Sequence, residues 1–165
     1  MLYFIINEKQ SKTLLTIFIF LKTIKYITGK QVYLKMFLKK YFMKVFIQLN
    51  ATFFLLYGIG FIFFPVELGQ LVTGASPDTT SGLIGICATY GGMSVGLGIL
   101  LFYLTKNIQT MKIGLLGILF IVGEMALGRT TGIVVDSSPN TIMYAFLLLE
   151  IVVVIIALKF YTKAT

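Results

Sequence analysis

GEMALGRTTGIVVDSSPNTIMYAFLLLE, residues 123–150, holds nearly all the charge that this chain places inside apolar sequence. Glu124 and Arg129 lie in one apolar run, Asp136 and Pro139 mark a turn, and Glu150 lies in the middle of the next run. Two such runs joined by a short turn read as a helical hairpin that crosses a bilayer twice. Charge at membrane depth costs about 2.5 to 3.5 kcal/mol per residue on insertion scales, so these side chains are expected to face a protein interior and find partners there. They are the first functional candidates.

The whole chain has the same character. Of its 165 residues, 58% are hydrophobic and only 12% are charged, against about 25% charged in an average soluble domain. With a mean hydropathy of +0.94, the chain reads as an integral membrane protein. The net charge of +8 does not mark a nucleic-acid surface: nine of the 14 basic residues precede Val45, and most of the others flank apolar runs, as topology signals do. No nucleic-acid partner is expected. The chain has no histidine and one cysteine, Cys87. Intrachain disulfides, zinc sites and Ser-His or Cys-His catalytic pairs are therefore excluded, and a haem would need unusual axial ligands. No cofactor or metal is expected, and Cys87 reads as a small buried hydrophobe.

Four spans emerge on either side of the opening stretch. Residues 45–64 form a first run of about 30 Å of helix, ended by Pro65. A turn-rich loop over residues 65–80, with room for one short interfacial helix, leads to a second span at 81–104. A polar connection over 105–112 leads to a third span, 113–135. Ending that helix at Gly128 would leave Ile133, Val134 and Val135 as an apolar loop in water, so it is read through Arg129, with the turn at 136–139. The fourth span is 141–161. Residues 1–44 alternate short apolar groups with lysines and contain no uncharged run of the roughly 20 residues needed to cross. They read either as an interfacial amphipathic segment, or as an upstream extension of a protein whose natural start is Met43, or, less readily, as a signal peptide. Lysines flank the first span, the 105–112 connection and the C-terminus, whereas the other two loops carry Glu67, Asp78 and Asp136 without lysine. The positive-inside rule then gives an antiparallel bundle of four transmembrane helices in the cytoplasmic membrane, with both termini cytoplasmic.

At 1.5 Å per residue, each span places a polar group near one depth. Tyr57 lies about 18 Å from the inner end of the first helix and Tyr90 about 14 Å from the outer end of the second. Glu124 lies about 16 Å from either end of the third and Glu150 about 14 Å from the outer end of the fourth. Arg129 starts about 7 Å further out and can reach inward to either glutamate. Two readings stand. The layer is an internal site for a small ligand, lipid headgroup, cation or proton, or Arg129 and one glutamate form a buried pair that fixes helix register. The small residues Ala88, Gly92 and Gly96, spaced by four and extended by Ser81 and Gly85, read as a helix-packing face, repeated by Gly128 and Gly132 on the third helix. Gly91 and Gly98 read as added flexibility. Gln48 and Asn50 read as interfacial or interhelical hydrogen-bonders.

Pro65 closing the first helix, Tyr90-Gly91-Gly92 with Gly96 and Gly98, Gly128-Arg129, Asp136 with Pro139, and Glu150 together resemble a family of small bacterial membrane proteins, domain of unknown function 4345. The likeness covers about residues 45–161. It implies four helices in a bacterial membrane and no established activity. That family often carries an acidic residue and an arginine just before the Tyr-Gly-Gly, where this chain has Gly85 and Cys87, so an activity resting on that pair would be lost or changed here. The favoured function is a non-enzymatic membrane protein whose midplane layer stabilises the bundle and holds a small ligand or lipid headgroup. One alternative is a proton- or cation-coupled transporter, dimeric because four short helices enclose little volume. The other is a quinone-linked membrane redox subunit.

Overall fold

The computed structural model describes the backbone of residues 2–136 and 139–164, and the side chains of residues 22, 26, 31–135 and 139–162. The chain divides into two compact units, Met1–Phe42 and Met43–Thr165. In the first unit the backbone is helical from Leu2 onward, and residues 31–42 are all exposed. The second unit contains the bundle.

Every regular element among the described residues is helical: α1 (Leu2–Phe63), α2 (Pro65–Thr73), α3 (Thr80–Ile86), a π-helical turn (Cys87–Gly92), α4 (Met93–Leu104), α5 (Ile108–Asp136) and α6 (Thr141–Ala164). Among the described residues, four stretches are long and apolar enough to cross a membrane: Gln31–Phe63, Thr80–Leu104, Ile108–Val135 and Thr141–Thr162. The protein is an all-α multi-pass membrane bundle. Helix α1 continues without a break upstream of the Val45 read from the sequence, because Lys44 interrupts the hydropathy but not the helix.

Local chemistry sets the joints. Pro65 cannot donate a backbone bond, so α1 stops at Phe63 and the chain restarts as α2 with proline in its first turn. The left-handed Gly74, at φ 76°, ends α2 by bonding its N–H to the Gln70 carbonyl. Thr79 caps α3 through the Gly82 N–H at 3.1 Å. Asn107 caps α5 through the Thr110 N–H at 2.9 Å, which shortens the polar connection expected over 105–112 to residues 105–107. Asn140 caps α6 through the Met143 N–H at 3.0 Å. Its amide also donates to the Val72 carbonyl at 3.3 Å, which ties the α5–α6 connection to α2. The turn expected at 136–139 includes Ser137 and Ser138, which lie outside the described residues.

The bundle's two ends are built differently. Toward the lysine-bearing end, Met43 and Ile47 of α1, Met111, Leu115 and Ile118 of α5 and Ala157 of α6 are fully buried in one apolar cluster. Phe46 and Phe160 close it, with ring centroids 5.5 Å apart.

The close helix approach is not where the four-residue spacing put it. Gly96, Gly128 and Gly132 face open space, and Gly92 faces only its own helix. Ala88 is exposed. The contact is made instead by Gly58 of α1 against Gly91, and by Gly98 against Ala51 and Leu55 of α1; Gly91 and Gly98 lie seven apart on one helical face. A Cβ on Gly58 would stand 2.7 Å from the Gly91 carbonyl, and one on Gly98 would stand 2.8 Å from the Ala51 carbonyl. Glycine is needed at these positions because two backbones meet there. The stripe Ala88, Gly92 and Gly96 is left on the outside.

Candidate functional site

Toward the end capped by α2 the packing opens into a chamber of about 180 Å³ with walls from all four spans. Its charged side chains are the pair of Arg129 on α5 and Glu150 on α6. Arg129 Nη2 donates to Glu150 Oε1 at 2.8 Å, and Nε donates to Oε1 and Oε2 at 3.2 and 3.1 Å. The glutamate is 3% exposed, so the charge-assisted fork is what keeps an ionised carboxylate tolerable there.

Helix α6 binds the whole guanidinium, not only its charge. Met143, Phe146 and Glu150 share one helical face by their three- and four-residue spacing. Arg129 runs along that face: Nη1 lies 2.8 Å from the Met143 sulfur, and the guanidinium carbon lies 5.3 Å from the Phe146 ring centroid, within cation–π range. Arginine suits this position because its planar fork bonds and stacks at once.

A ladder of rings forms the opposite wall. On α1, Phe53 and Tyr57 stack with centroids 5.9 Å apart, and Tyr57 and Phe61 lie 4.7 Å apart. Phe61 then stacks on Tyr90 at 5.3 Å, while Tyr57 meets the edge of Phe146 at 6.5 Å. Tyr90 sits in the π turn, whose extra residue lets the turn present Tyr90 to the chamber and Gly91 to α1. Among the described residues no protein group hydrogen-bonds the hydroxyl of Tyr57 or Tyr90. Both residues line the chamber, Tyr57 from a half-buried position and Tyr90 from an exposed one.

The chamber has a neighbour. Arg129, Tyr90 and Met125 also line a more open vestibule of about 530 Å³ that reaches Thr73 and the 139–140 connection. The guanidinium and one phenol thus stand at the junction between an apolar chamber and a wider mouth.

Of the five residues expected in the midplane layer, Tyr57, Tyr90, Arg129 and Glu150 come together and Glu124 does not. Glu124 is exposed, in a shallow groove with Leu127, Ile151 and Ile155 on another face of α5 and α6. The reason is phase: five residues separate it from Arg129, about 140° around a helix. Sequence reading missed Met143 and Phe146, although their spacing from Glu150 was a usable signal. It also missed the buried Ser94, which lines the chamber. Asn50 lines it too, but bonds within its own helix, to the Phe46 carbonyl at 2.9 Å. Cys87 is half-buried, with its sulfur 3.7 Å from the Phe61 carbonyl oxygen, a weak contact across to α1. No group of three His, Cys, Asp or Glu side chains among the described residues can hold a metal ion.

No curated protein and no solved structure matches the chain. A family model described as Domain of unknown function (DUF4345) matches residues 42–161. Since that stretch contains every residue of the chamber and most of the chain, this protein belongs to the DUF4345 family.

Proposed function

We propose that the protein is a non-enzymatic, multi-pass protein of the cytoplasmic membrane that binds a small molecule in the chamber beside Arg129 and Glu150. The observation that carries this reading is the position of the ion pair. It forms part of the wall of a chamber to which all four spans contribute. A pair needed only for register could be packed over completely, as the opposite end of the bundle is. The vestibule gives the ligand a route from the end capped by α2. The apolar cluster of Met43, Ile47 and Leu115 obstructs passage onward, which favours binding over transport. The exposed Lys44, Lys106 and Lys159 lie at the other end, so the positive-inside rule makes that end cytoplasmic and opens the vestibule to the outside.

Native mass spectrometry of the detergent-purified full chain, beside Glu150→Gln and Arg129→Leu, tests the reading. A small-molecule adduct carried by the parent and lost from both variants is the expected result. Equal spectra for all three proteins would remove the site.

A further inference from the structure

We infer, resting on the binding function just proposed, that the chamber selects a neutral, single-ring carbonyl compound and rejects anions. Size comes first. A dry apolar cavity of about 150 Å³ holds benzene, so a chamber of about 180 Å³ takes one six-membered ring with a small substituent. Larger parts of a ligand would have to lie in the vestibule. The walls agree with a ring: Phe53, Tyr57 and Phe146 offer faces and edges for offset or edge-on stacking.

Charge comes second. The Glu150 carboxylate already matches the guanidinium through both of its oxygens. A carboxylate or phosphate on the ligand would stand beside Glu150 as a like charge in a low-dielectric site, or would have to displace it and leave it buried and unpaired. A neutral ligand meets neither penalty.

Hydrogen bonding comes third. With Nε, one Nη2 hydrogen and one Nη1 hydrogen engaged by Glu150 and Met143, two of the five guanidinium N–H groups are unspent. The phenols of Tyr57 and Tyr90 add two O–H donors on the other side. The unspent guanidinium N–H groups and the phenol O–H groups are donors at the polar end of an aromatic slot, and a carbonyl oxygen is a neutral acceptor that uses several of them at once. Because Arg129 and Tyr90 also line the vestibule, the carbonyl sits at the junction of the two spaces.

Fluorine NMR titration of the full chain in detergent tests this with three probes: 4-fluoroacetophenone, fluorobenzene and 4-fluorobenzoate. Binding is read as the difference from Val153→Phe, which fills the chamber and cancels partitioning into micelles. 4-Fluoroacetophenone is expected to bind at least about tenfold more tightly than either other probe, the worth of one hydrogen bond to a charged donor. In Arg129→Leu/Glu150→Leu, which leaves no buried charge unpaired, fluorobenzene should still bind and the carbonyl preference should vanish. If 4-fluorobenzoate equals or exceeds 4-fluoroacetophenone, or if the preference survives in the double variant, the ligand class is wrong while the chamber remains a binding site. If no probe binds, fluorobenzene included, the underlying binding function fails with it.

Discussion

The two ends of the bundle use the same four helices to different purpose. At the lysine-bearing end, Ile47, Leu115 and Ala157 are 0% exposed and interdigitate without a polar side chain among them. At the other end the helices surround a chamber, with aromatic rings on one wall and an ion pair on the other. A chain that can pack Leu115 to completion does not leave a chamber at Arg129 for want of apolar residues. The contrast separates a part that holds the helices together from a part that is held open.

Four measurements sharpen or break that contrast. The largest effect belongs to the ion pair. Arg129→Leu alone strands Glu150 in an apolar wall and should cost about 3–5 kcal/mol, whereas Arg129→Leu/Glu150→Leu should be neutral or stabilising. A double-mutant cycle on unfolding in mixed micelles checks both, and additive losses would mean that the pair is not coupled. Next is the packed end. Leu115→Ala should cost about 2–5 kcal/mol by cavity formation, while Val153→Phe at the chamber should cost less than about 1.5 kcal/mol because the ring enters space already there. Equal penalties would erase the distinction between the ends. Third, Gly98→Ala pushes a methyl to 2.6 Å from the Leu55 side chain and should cost about 1–3 kcal/mol. Gly96→Ala, which meets open space, should be neutral or stabilising by up to about 1 kcal/mol. Last, Glu124→Gln should leave 4-fluoroacetophenone binding unchanged. A lost affinity there would show that the chamber and the outer groove communicate.

The sequence made some of this legible and hid the rest for identifiable reasons. Span count followed from apolar runs and from Pro65, which are local signals. Depth counting brought Tyr57, Tyr90, Arg129 and Glu150 to one level, because rise per residue is nearly constant in a helix. It failed for Glu124 because depth says nothing about azimuth, and five residues turn a side chain to another face. The glycines posed a different problem. Gly92 and Gly96 at a spacing of four and Gly91 and Gly98 at seven are both plausible contact faces within one helix. Only Gly58, some 30 residues earlier in the chain, decides between them. The π turn leaves no local mark in Cys87-Ala88-Thr89-Tyr90-Gly91-Gly92, since it depends on what both flanking helix segments must contact.

That turn also makes the second span unusual in its tolerance of shortening. Met93 N–H reaches back five residues to the Ala88 carbonyl, so one residue more than an α-helix needs is stored between Cys87 and Gly92. Deleting a single codon from any other span would rotate everything beyond it by about 100° and throw its contacts off register. Deleting the exposed Ala88 would convert the wide turn into an ordinary one and leave Thr80–Ile86 and Met93–Leu104 in their present orientations. In a library of single-residue deletions, the hexapeptide around Tyr90 is where a membrane helix of this protein can lose a residue and still fold.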